Sequence, residues 1–437
     1  MKQIRNTAAP SKEGAAARMA ATALLAGVFE RKQPFDLLLD SEGGEAAYTG
    51  LPERDRRLAR AIAATALRRH GEITALLARL IEKRPSRARN LFLILEAAIV
   101  QILWMGVADH AAVSIAVDQV TADPGIRHLS GLANAVLRRV ARERDAILAA
   151  ATDIGLNTPD WLWARWVATY DGDAALKIAA AHLHEPSLDL SVKGDAAGWA
   201  AKLGGALLPT GSIRVDASGS IEALPGFAEG EWWVQDAAAA LPAKLLGDVT
   251  GKRGADLCAA PGGKTAQLAA AGARVTAVDI SARRLKRVAA NLFRLRLSAE
   301  LVAADVLEWR PPEPFDAVLL DAPCSSTGTI RRHPDIAWLK DEADVATLAR
   351  LQHRMIGRAA ALLAPGGTLV YCTCSLEPEE GEAHIRALAQ YELAIDPISP
   401  AELPGIAEAA TPAGAVRTLP FQAFGLDGFF IMRLRKG

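Results

Sequence analysis

Cysteine is scarce in this chain: four thiols, Cys258, Cys324, Cys372 and Cys374, occur in 437 residues, all in the second half. No C-x-x-C pair is present, which argues against a tetrahedral zinc site, and Met1–Pro10 has no apolar core of signal-peptide length. Free thiols in a reducing compartment are therefore expected, with no metal. Net charge is absent too: 50 Lys and Arg balance 50 Asp and Glu. No bulk field draws such a molecule onto a polyanion, so any nucleic-acid contact has to come from local basic patches. No stretch reaches the about 18–20 uncharged apolar residues of a membrane span. The nearest, Leu91–Val107, is broken by Glu96 and Gln101 and suits a buried helix better. Neither G-x-G-x-x-G nor G-x-x-x-x-G-K-[ST] occurs, which disfavours nicotinamide and nucleoside-triphosphate sites. A cytoplasmic protein is the expectation.

What is present is 51% hydrophobic and 23% charged, the balance of a globular protein, in a chain too long for one ordinary core. Three domains are expected. Residues 14–147 follow a short polar arm and read as successive helices: Ile73, Leu76, Leu77, Leu80 and Ile81 share one helical face, while Pro52, Pro85 and Pro124-Gly125 supply breaks. Within this bundle Arg54, Arg56, Arg57, Arg60, Arg68, Arg69, Arg79, Lys83, Arg84, Arg87 and Arg89 face only Glu53, Asp55, Glu72 and Glu82. That excess is either a solvated surface or a patch for a polyanion. Residues 148–235 form a connecting α+β unit, opened by Thr158-Pro159 and a helix carrying Trp161, Trp163 and Trp166. Residues 236–437 alternate strand and helix, the pattern of a mostly parallel sheet with crossover helices. Asp427-Gly428 is a hairpin signal before a last strand from Phe429 to Leu434.

The chemistry gathers at the predicted strand ends. Strand 254–258 runs into Cys258-Ala259-Ala260-Pro261-Gly262-Gly263-Lys264 and then a helix, a small-residue turn that lets backbone approach a ligand at the sheet's carboxyl edge. Tight strand-to-helix turns want glycine for purely structural reasons, so the turn alone is a weak signal. Asp279, Asp305 and Asp321 each end a predicted strand; one such acid is more often a helix cap than a ligand, but three in register point into one crevice. Asp321 opens D-A-P-C-S-S-T-G, which carries Cys324, and the next strand ends in C-T-C-S, which carries Cys374. Neighbouring parallel strands lie about 4.8 Å apart, so the two loops can present their thiols to one pocket. A single cysteine is by default a small buried hydrophobe; paired thiols beside a cofactor crevice suit covalent catalysis on a pyrimidine. Carbon 5 of cytosine is a poor nucleophile until a thiolate adds at carbon 6.

These segments resemble the RNA cytosine-C5 methyltransferases of the Nop2/Sun superfamily, most closely the bacterial 16S ribosomal RNA branch. The resemblance spans D-L-C-A-A-P-G-G-K-T (256–265), A-V-D-I (277–280), N-L-F-R-L (291–295), F-D-A-V-L-L-D-A-P-C-S-S-T-G (315–328), I-R-R-H-P-D-I (330–336), G-G-T-L-V-Y-C-T-C-S-L-E-P-E-E (366–380) and D-G-F-F (427–430). It implies a Rossmann-like class I methyltransferase domain with a mostly parallel seven-stranded sheet, behind a NusB-like N-terminal helical domain. It implies S-adenosylmethionine held by residues 258–264, Asp279, Asp305 and Asp321. It makes Cys374 the nucleophile and Cys324 the residue that aids release, with Asp321 also at the cytosine edge and Lys264 serving cofactor or base. The partner implied is 16S rRNA, naked or in an assembling small subunit, bound by a monomer. Cys372 is an extra thiol that could act as a decoy nucleophile once Cys374 is lost, and Ser326 replaces a common glycine, a change expected to be tolerated. The strand at 188–193 lacks the family's Arg-x-Asn. Arg331, Arg332 and His333 are placed for RNA phosphates or simply lie on a surface turn. The competing reading is a non-catalytic RNA-binding assembly factor that retains the cofactor fold.

Overall fold

The computed structural model describes residues 14–150, 153–216 and 219–437; the polar arm expected before residue 14 lies outside them. The chain divides into two compact units, one running to Ala164 and taking in His333–Leu339, the other made of Arg165–Arg332 and Lys340–Gly437.

The first unit is all helix, with Ala15–Phe29, Glu53–Leu80, Arg89–Leu103, Asp109–Ala122 and Ser130–Arg142 around one core. The helix Glu53–Leu80 starts after Pro52, with Glu53 and Asp55 in its first turn where the dipole favours acids. It buries Ile62, Ala66, Leu67, Ile73, Leu76 and Leu77 and leaves Arg54, Arg57, Arg60 and Arg79 exposed. The stripe expected from the sequence is buried at Ile73, Leu76, Leu77 and Ile81 and half-buried at Leu80. The apolar segment after Ala88 is the helix Arg89–Leu103, in which every residue from Leu93 onward is buried. Its polar members are paired: Gln101 accepts from Arg18 Nε at 2.7 Å and Glu96 meets His70 Nδ1 at 2.9 Å. Among the described residues no helix is long and apolar enough to cross a membrane.

Segment His333–Leu339 belongs to this unit. His333 Nδ1 lies 3.2 Å from Asp36 Oδ2, the Phe35 amide donates to Asp335 at 2.8 Å, and Trp338 Nε1 donates to the Leu67 carbonyl at 2.9 Å. His333 thus faces a carboxylate rather than a phosphate.

The second unit holds two sheets. The smaller is antiparallel throughout, with order β2-β3-β1-β4 for β1 (Leu188–Val192), β2 (Ala206–Leu207), β3 (Ile213–Val215) and β4 (Trp232–Val234). The larger contains β5 (Arg253–Leu257), β6 (Arg274–Asp279), β7 (Glu300–Ala303), β8 (Phe315–Asp321), β9 (Leu363–Thr373), β10 (Leu393–Ile395) and β12 (Phe429–Lys436), in the order β10-β12-β9-β8-β5-β6-β7. The five strands from β9 to β7 are parallel and β12 and β10 antiparallel, while a short eighth strand, β11 (Val416–Thr418), flanks β12. Alternation along β8 sends Ala317 and Leu319 to one core layer and Val318 and Leu320 to the other. Strand order reverses at β5 and β8, and a doubly wound sheet has its ligand crevice at that switch point.

Asp427-Gly428 does not form a two-residue hairpin: β11 and β12 pair from Thr418↔Phe429, so residues 419–428 make a longer loop. The two residues serve packing instead. Asp427 binds Arg331 Nε at 2.5 Å and Arg332 Nε at 2.8 Å, while Asp236 takes the other end of both guanidiniums at 2.7 and 2.5 Å. Both acids and Arg331 are buried and Arg332 is mostly so. This corrects the phosphate-binding expectation for Arg331 and Arg332, whose charges are neutralised inside the protein. Burial alone would raise Asp236, but Arg332 and Arg331 outweigh it and hold the carboxyl below its usual range. Removing one member of such a buried pair leaves uncompensated charge, so Asp427→Ala is expected to lower stability by about 3–5 kcal/mol in chemical denaturation.

Candidate active site

Each functional loop begins where a buried strand ends. After β5, Cys258 enters the left-handed region (φ 66°), and Gly262 (φ 103°) turns the chain into the helix Gly263–Ala270. The turn is held from outside: the Ala259 amide donates to the Val278 carbonyl at 3.0 Å and the Ala260 amide to Asp279 Oδ2 at 3.2 Å. Arg284 and Asn291 donate to the carbonyls of Ala260 and Pro261 at 2.7 and 3.0 Å. Asn291 accounts for one of the motifs noted in the sequence. Asp279 is 1% exposed and also caps the Ser281 amide at 2.9 Å. Beneath the turn, burial and the neighbouring Asp321 and Asp279 push the Asp256 carboxyl up to about 7 against the hydrogen bond it accepts from Thr265 at 2.5 Å.

At the ends of β8 and β9, Asp321 stands level with Cys372 in the parallel ladder. The two loops beyond them are tied by backbone bonds, Ala322 N to Cys372 O at 3.0 Å and Gly328 N to Cys374 O at 3.0 Å. Gly328 has no room for a Cβ, which would fall 2.0 Å from the Gly428 carbonyl. Ser326 adopts φ 61°, the left-handed conformation that explains why glycine is common there and that serine adopts at a cost of about 1–2 kcal/mol.

The tie brings Cys324 Sγ and Cys374 Sγ to 3.5 Å. They are not equivalent. The hydrogen bond from Cys324 lowers the Cys374 thiol below its usual range, against burial and the negative charge of Asp321. The same bond, together with burial, drives Cys324 well above that range. Of the two thiols, Cys374 is thus the one whose ionisation is favoured and Cys324 the one whose ionisation is opposed. Asp321 Oδ2 receives Lys264 Nζ at 2.7 Å, and Lys264 also sits 5.5 Å from the centre of the Phe429 ring. Those two anchors hold Lys264 in place.

A crevice of about 350 Å³ contains Cys324, Cys374, Asp279, Asp305, Asp321, Cys258 and Ala260 in its wall, within the about 300–1,000 Å³ of small-molecule sites. The strand-end acids and both thiols expected from the sequence thus share one cavity. Ala259, Pro261, Gly262, Gly263 and Lys264 do not line it: they shape the turn behind the wall, and Gly263 packs near Gln235. Asp305 is exposed and accepts from the Leu307 amide at 2.9 Å. Cys372 is 0% exposed in the core layer with Leu319, Val370 and Ile431, its thiol donates to Asp321 Oδ1 at 3.4 Å, and burial followed by the Asp321 charge raises it well above the usual range. This overturns the expectation that it could stand in for Cys374.

Several site residues were not anticipated. Ile280, 71% exposed, lines the crevice and offers it an apolar face; an exposed isoleucine after a strand-end acid was the available signal. Glu380 is fully buried and accepts from Ser325 N at 2.9 Å, Ser325 Oγ and Ser375 Oγ at 2.5 Å, and Gln352 Nε2 at 3.0 Å. It joins the Cys324 loop to the Cys374 loop. Glu377, also buried, binds Arg165 at 2.5 Å and Trp166 Nε1 at 3.1 Å.

A switch-point crevice with acids closing β6 and β8, an apolar face and no phosphate-binding loop fits an adenosyl group, and this fold and site define an S-adenosylmethionine-dependent methyltransferase. Residues 243–435 match the family model described as 16S rRNA methyltransferase RsmB/F, and residues 15–142 match that of the NusB family. The ribosomal RNA small subunit methyltransferase B of Cronobacter sakazakii is 34% identical over 420 residues, 90% of this chain and 95% of that protein. Its counterpart in Klebsiella pneumoniae is 36% identical over 410 residues, 88% of this chain and 91% of that one. The crystal structure of PH0851 shares the fold with TM-score 0.76 at 22% identity, covering 98% of this chain and 100% of that one. The chain belongs to the RsmB/F family of methyltransferases, with a NusB-type helical domain at its N-terminal end.

Proposed function

We propose that this protein methylates carbon 5 of a cytosine in 16S ribosomal RNA through a covalent intermediate on Cys374. The observation that carries the reading is the 3.5 Å approach of two unlike thiols, one lowered and one raised in pKa, within the crevice lined by Asp279, Asp305 and Asp321. The target base has to leave its stack for carbon 6 to reach a sulfur in this cavity. Asp279 would hold the ribose diol of the cofactor and Asp305 its adenine amino group, each through lone pairs left over from the backbone amides they cap. S-adenosylmethionine, when bound, supplies a methyl group on a sulfonium centre.

Cys374 as thiolate adds to carbon 6, and the displaced π electrons make carbon 5 nucleophilic. Asp321, fixed by Lys264, is the acid nearest the reacting centre and would hold the polar edge of the ring. After methylation a water molecule in the open crevice would take the carbon 5 proton, the C–H electron pair would re-form the carbon 5–carbon 6 double bond, and the carbon 6–sulfur pair would leave on Cys374 as thiolate. The Cys324 S–H is positioned to donate to that sulfur as its charge returns. The deciding experiment is bisulfite mapping of 16S rRNA incubated with the protein and S-adenosylmethionine. A non-catalytic assembly factor would leave no protected cytosine and form no adduct in any cysteine variant.

The thiol pair makes a pH prediction. Only ionised Cys374 is nucleophilic, so single-turnover adduct formation is expected to rise as pH climbs through its lowered pKa and to level off above it. Below that pKa the rate falls about tenfold per pH unit. In Cys324→Ala the hydrogen bond that favours the thiolate is gone, so the acid limb is expected to move to higher pH. A limb at the same pH in both proteins would mean that Cys324 does not tune Cys374.

A further inference from the structure

A second cavity, of about 470 Å³, opens within the helical unit, far in sequence from either cysteine loop. Phe29, His70, Leu77, Phe92, Leu93 and Glu96 are among the residues that line it. The His70 ring lies 4.3 Å from Phe29, centre to centre. Glu96 stands on a helix whose other residues from Leu93 to Leu103 are buried, and apart from Gln101 they are apolar. Its carboxyl is 5% exposed and meets His70 Nδ1 at 2.9 Å; burial raises its pKa, and His70 works against that shift and favours the ionised form. A leucine there would complete the core without desolvating a charge, so the packing of the bundle does not explain the acid. At the mouth the Arg84 guanidinium lies 4.2 Å over the Phe92 ring, and Arg89 lines the same opening. Two acids, Glu30 and Glu82, also line it, but the surrounding surface carries the exposed cations Arg79, Lys83 and Arg87.

Aromatic walls, a buried hydrogen-bond acceptor and a cationic rim are the three things that hold an unstacked nucleotide: a π-face to stack on, a group that reads the base edge, and charge for the adjoining phosphate. The acceptor selects the base. Guanine alone presents two adjacent N–H donors, N1 and the exocyclic amine, to a carboxylate; adenine, cytosine and uracil each offer one donor beside an acceptor. We infer that this cleft binds a single extruded guanine of the RNA substrate, with Glu96 reading its N1 and amino edge, Phe29, His70 and Phe92 enclosing its ring, and Arg84 at the phosphate. The inference rests on the reading of the protein as an RNA methyltransferase and adds a second contact that fixes where the RNA lies on the helical unit.

The test uses the full chain and single-stranded nonamers of adenosine and uridine with one central guanosine, inosine or adenosine. The guanosine oligomer should bind at least tenfold more tightly than the inosine one, which lacks only the exocyclic amine. Glu96→Gln, which keeps the shape and removes a buried charge, should abolish that preference. Arg84→Ala, at an exposed position, should weaken all three oligomers alike and flatten the salt dependence. Equal binding of the three by the wild type, or an unchanged preference in Glu96→Gln, overturns the inference. In an rRNA titration, Glu96→Gln should methylate with a raised KM and reach the wild-type kcat at saturation. If the wild type transfers no methyl group, the catalytic reading fails, while the oligomer preference still decides the cleft.

Discussion

A Cys324→Ala variant incubated with 16S rRNA and S-adenosylmethionine is expected to accumulate a protein–RNA adduct that survives denaturing electrophoresis, whereas Cys374→Ala is expected to form none. The difference follows from which sulfur bonds to carbon. In the proposed mechanism Cys374 makes the bond, so its loss should cut methyl transfer to below about one thousandth of wild type, the scale on which removal of a covalent nucleophile is felt. Cys324 acts when the bond must break, so its loss should lower turnover by about 10²–10⁴-fold, the range of proton-transfer assistance, while leaving addition and methylation in place. Cys372 gives an internal control. Because that thiol is 0% exposed with its pKa raised by burial, it should not replace Cys374, and Cys372→Ala, which removes a hydrogen bond to Asp321, should still form its adduct through Cys374. Adduct in Cys374→Ala but not in Cys324→Ala would exchange the two roles.

Much of this site could be read from residue order because strand ends are local features. A β-strand followed by small residues, or by Asp and then Cys, places its last side chains at the carboxyl edge of a parallel sheet wherever the helices pack. Asp279, Asp321, Cys324 and Cys374 needed only the strand order to meet, and β8 and β9 are neighbours. What could not be read was the partner of each charge. Arg331 and Arg332 look like phosphate ligands in a list of residues; their partners Asp236 and Asp427 are about 95 positions away on either side. Cys372 and Cys374 differ by two residues, the period that keeps side chains on one face of a strand. Yet one lies inside the ladder and one just past its end, and that single step separates a core residue from one in the crevice wall. Asp427-Gly428 carried a strong turn signal because both residues suit tight turns, but the ion pairs and the close approach to Gly328 determine its use.

Glu380 carries the second large expected effect. Its carboxylate is the common acceptor for Ser325, from the loop of the releasing cysteine, and Ser375, from the loop of the nucleophile, with Gln352 closing the set. Burial raises its pKa, with the Ser325, Ser375 and Gln352 hydrogen bonds working against the shift, so the group is costly to place there and its geometry is fully used. In Glu380→Ala those donors lose their acceptor inside the protein, and a loss of about 3–5 kcal/mol is expected. Glu380→Gln is the more informative change, because it keeps the volume but offers one acceptor oxygen where two were in use. The Ser325 and Ser375 hydroxyls share Oε2 while the Ser325 amide and Gln352 Nε2 share Oε1, so the glutamine keeps one set and turns its own donor on the other, and the two sulfurs should drift apart. A displacement of about 1 Å at a reacting atom costs on the order of 10²-fold, so adduct formation by Glu380→Gln should slow by roughly that factor. The acid limb of its pH profile should also move upward, since the Cys324 hydrogen bond that favours the Cys374 thiolate is weakened. Affinity for S-adenosylmethionine should not change, because Asp279 and Asp305 belong to the opposite half of the sheet, after β6 and β7. Calorimetric titration of the cofactor therefore separates the outcomes: weaker cofactor binding in parallel with the lost rate would mean general unfolding, and an unchanged pH limb would mean that Glu380 does not set the distance between the thiols.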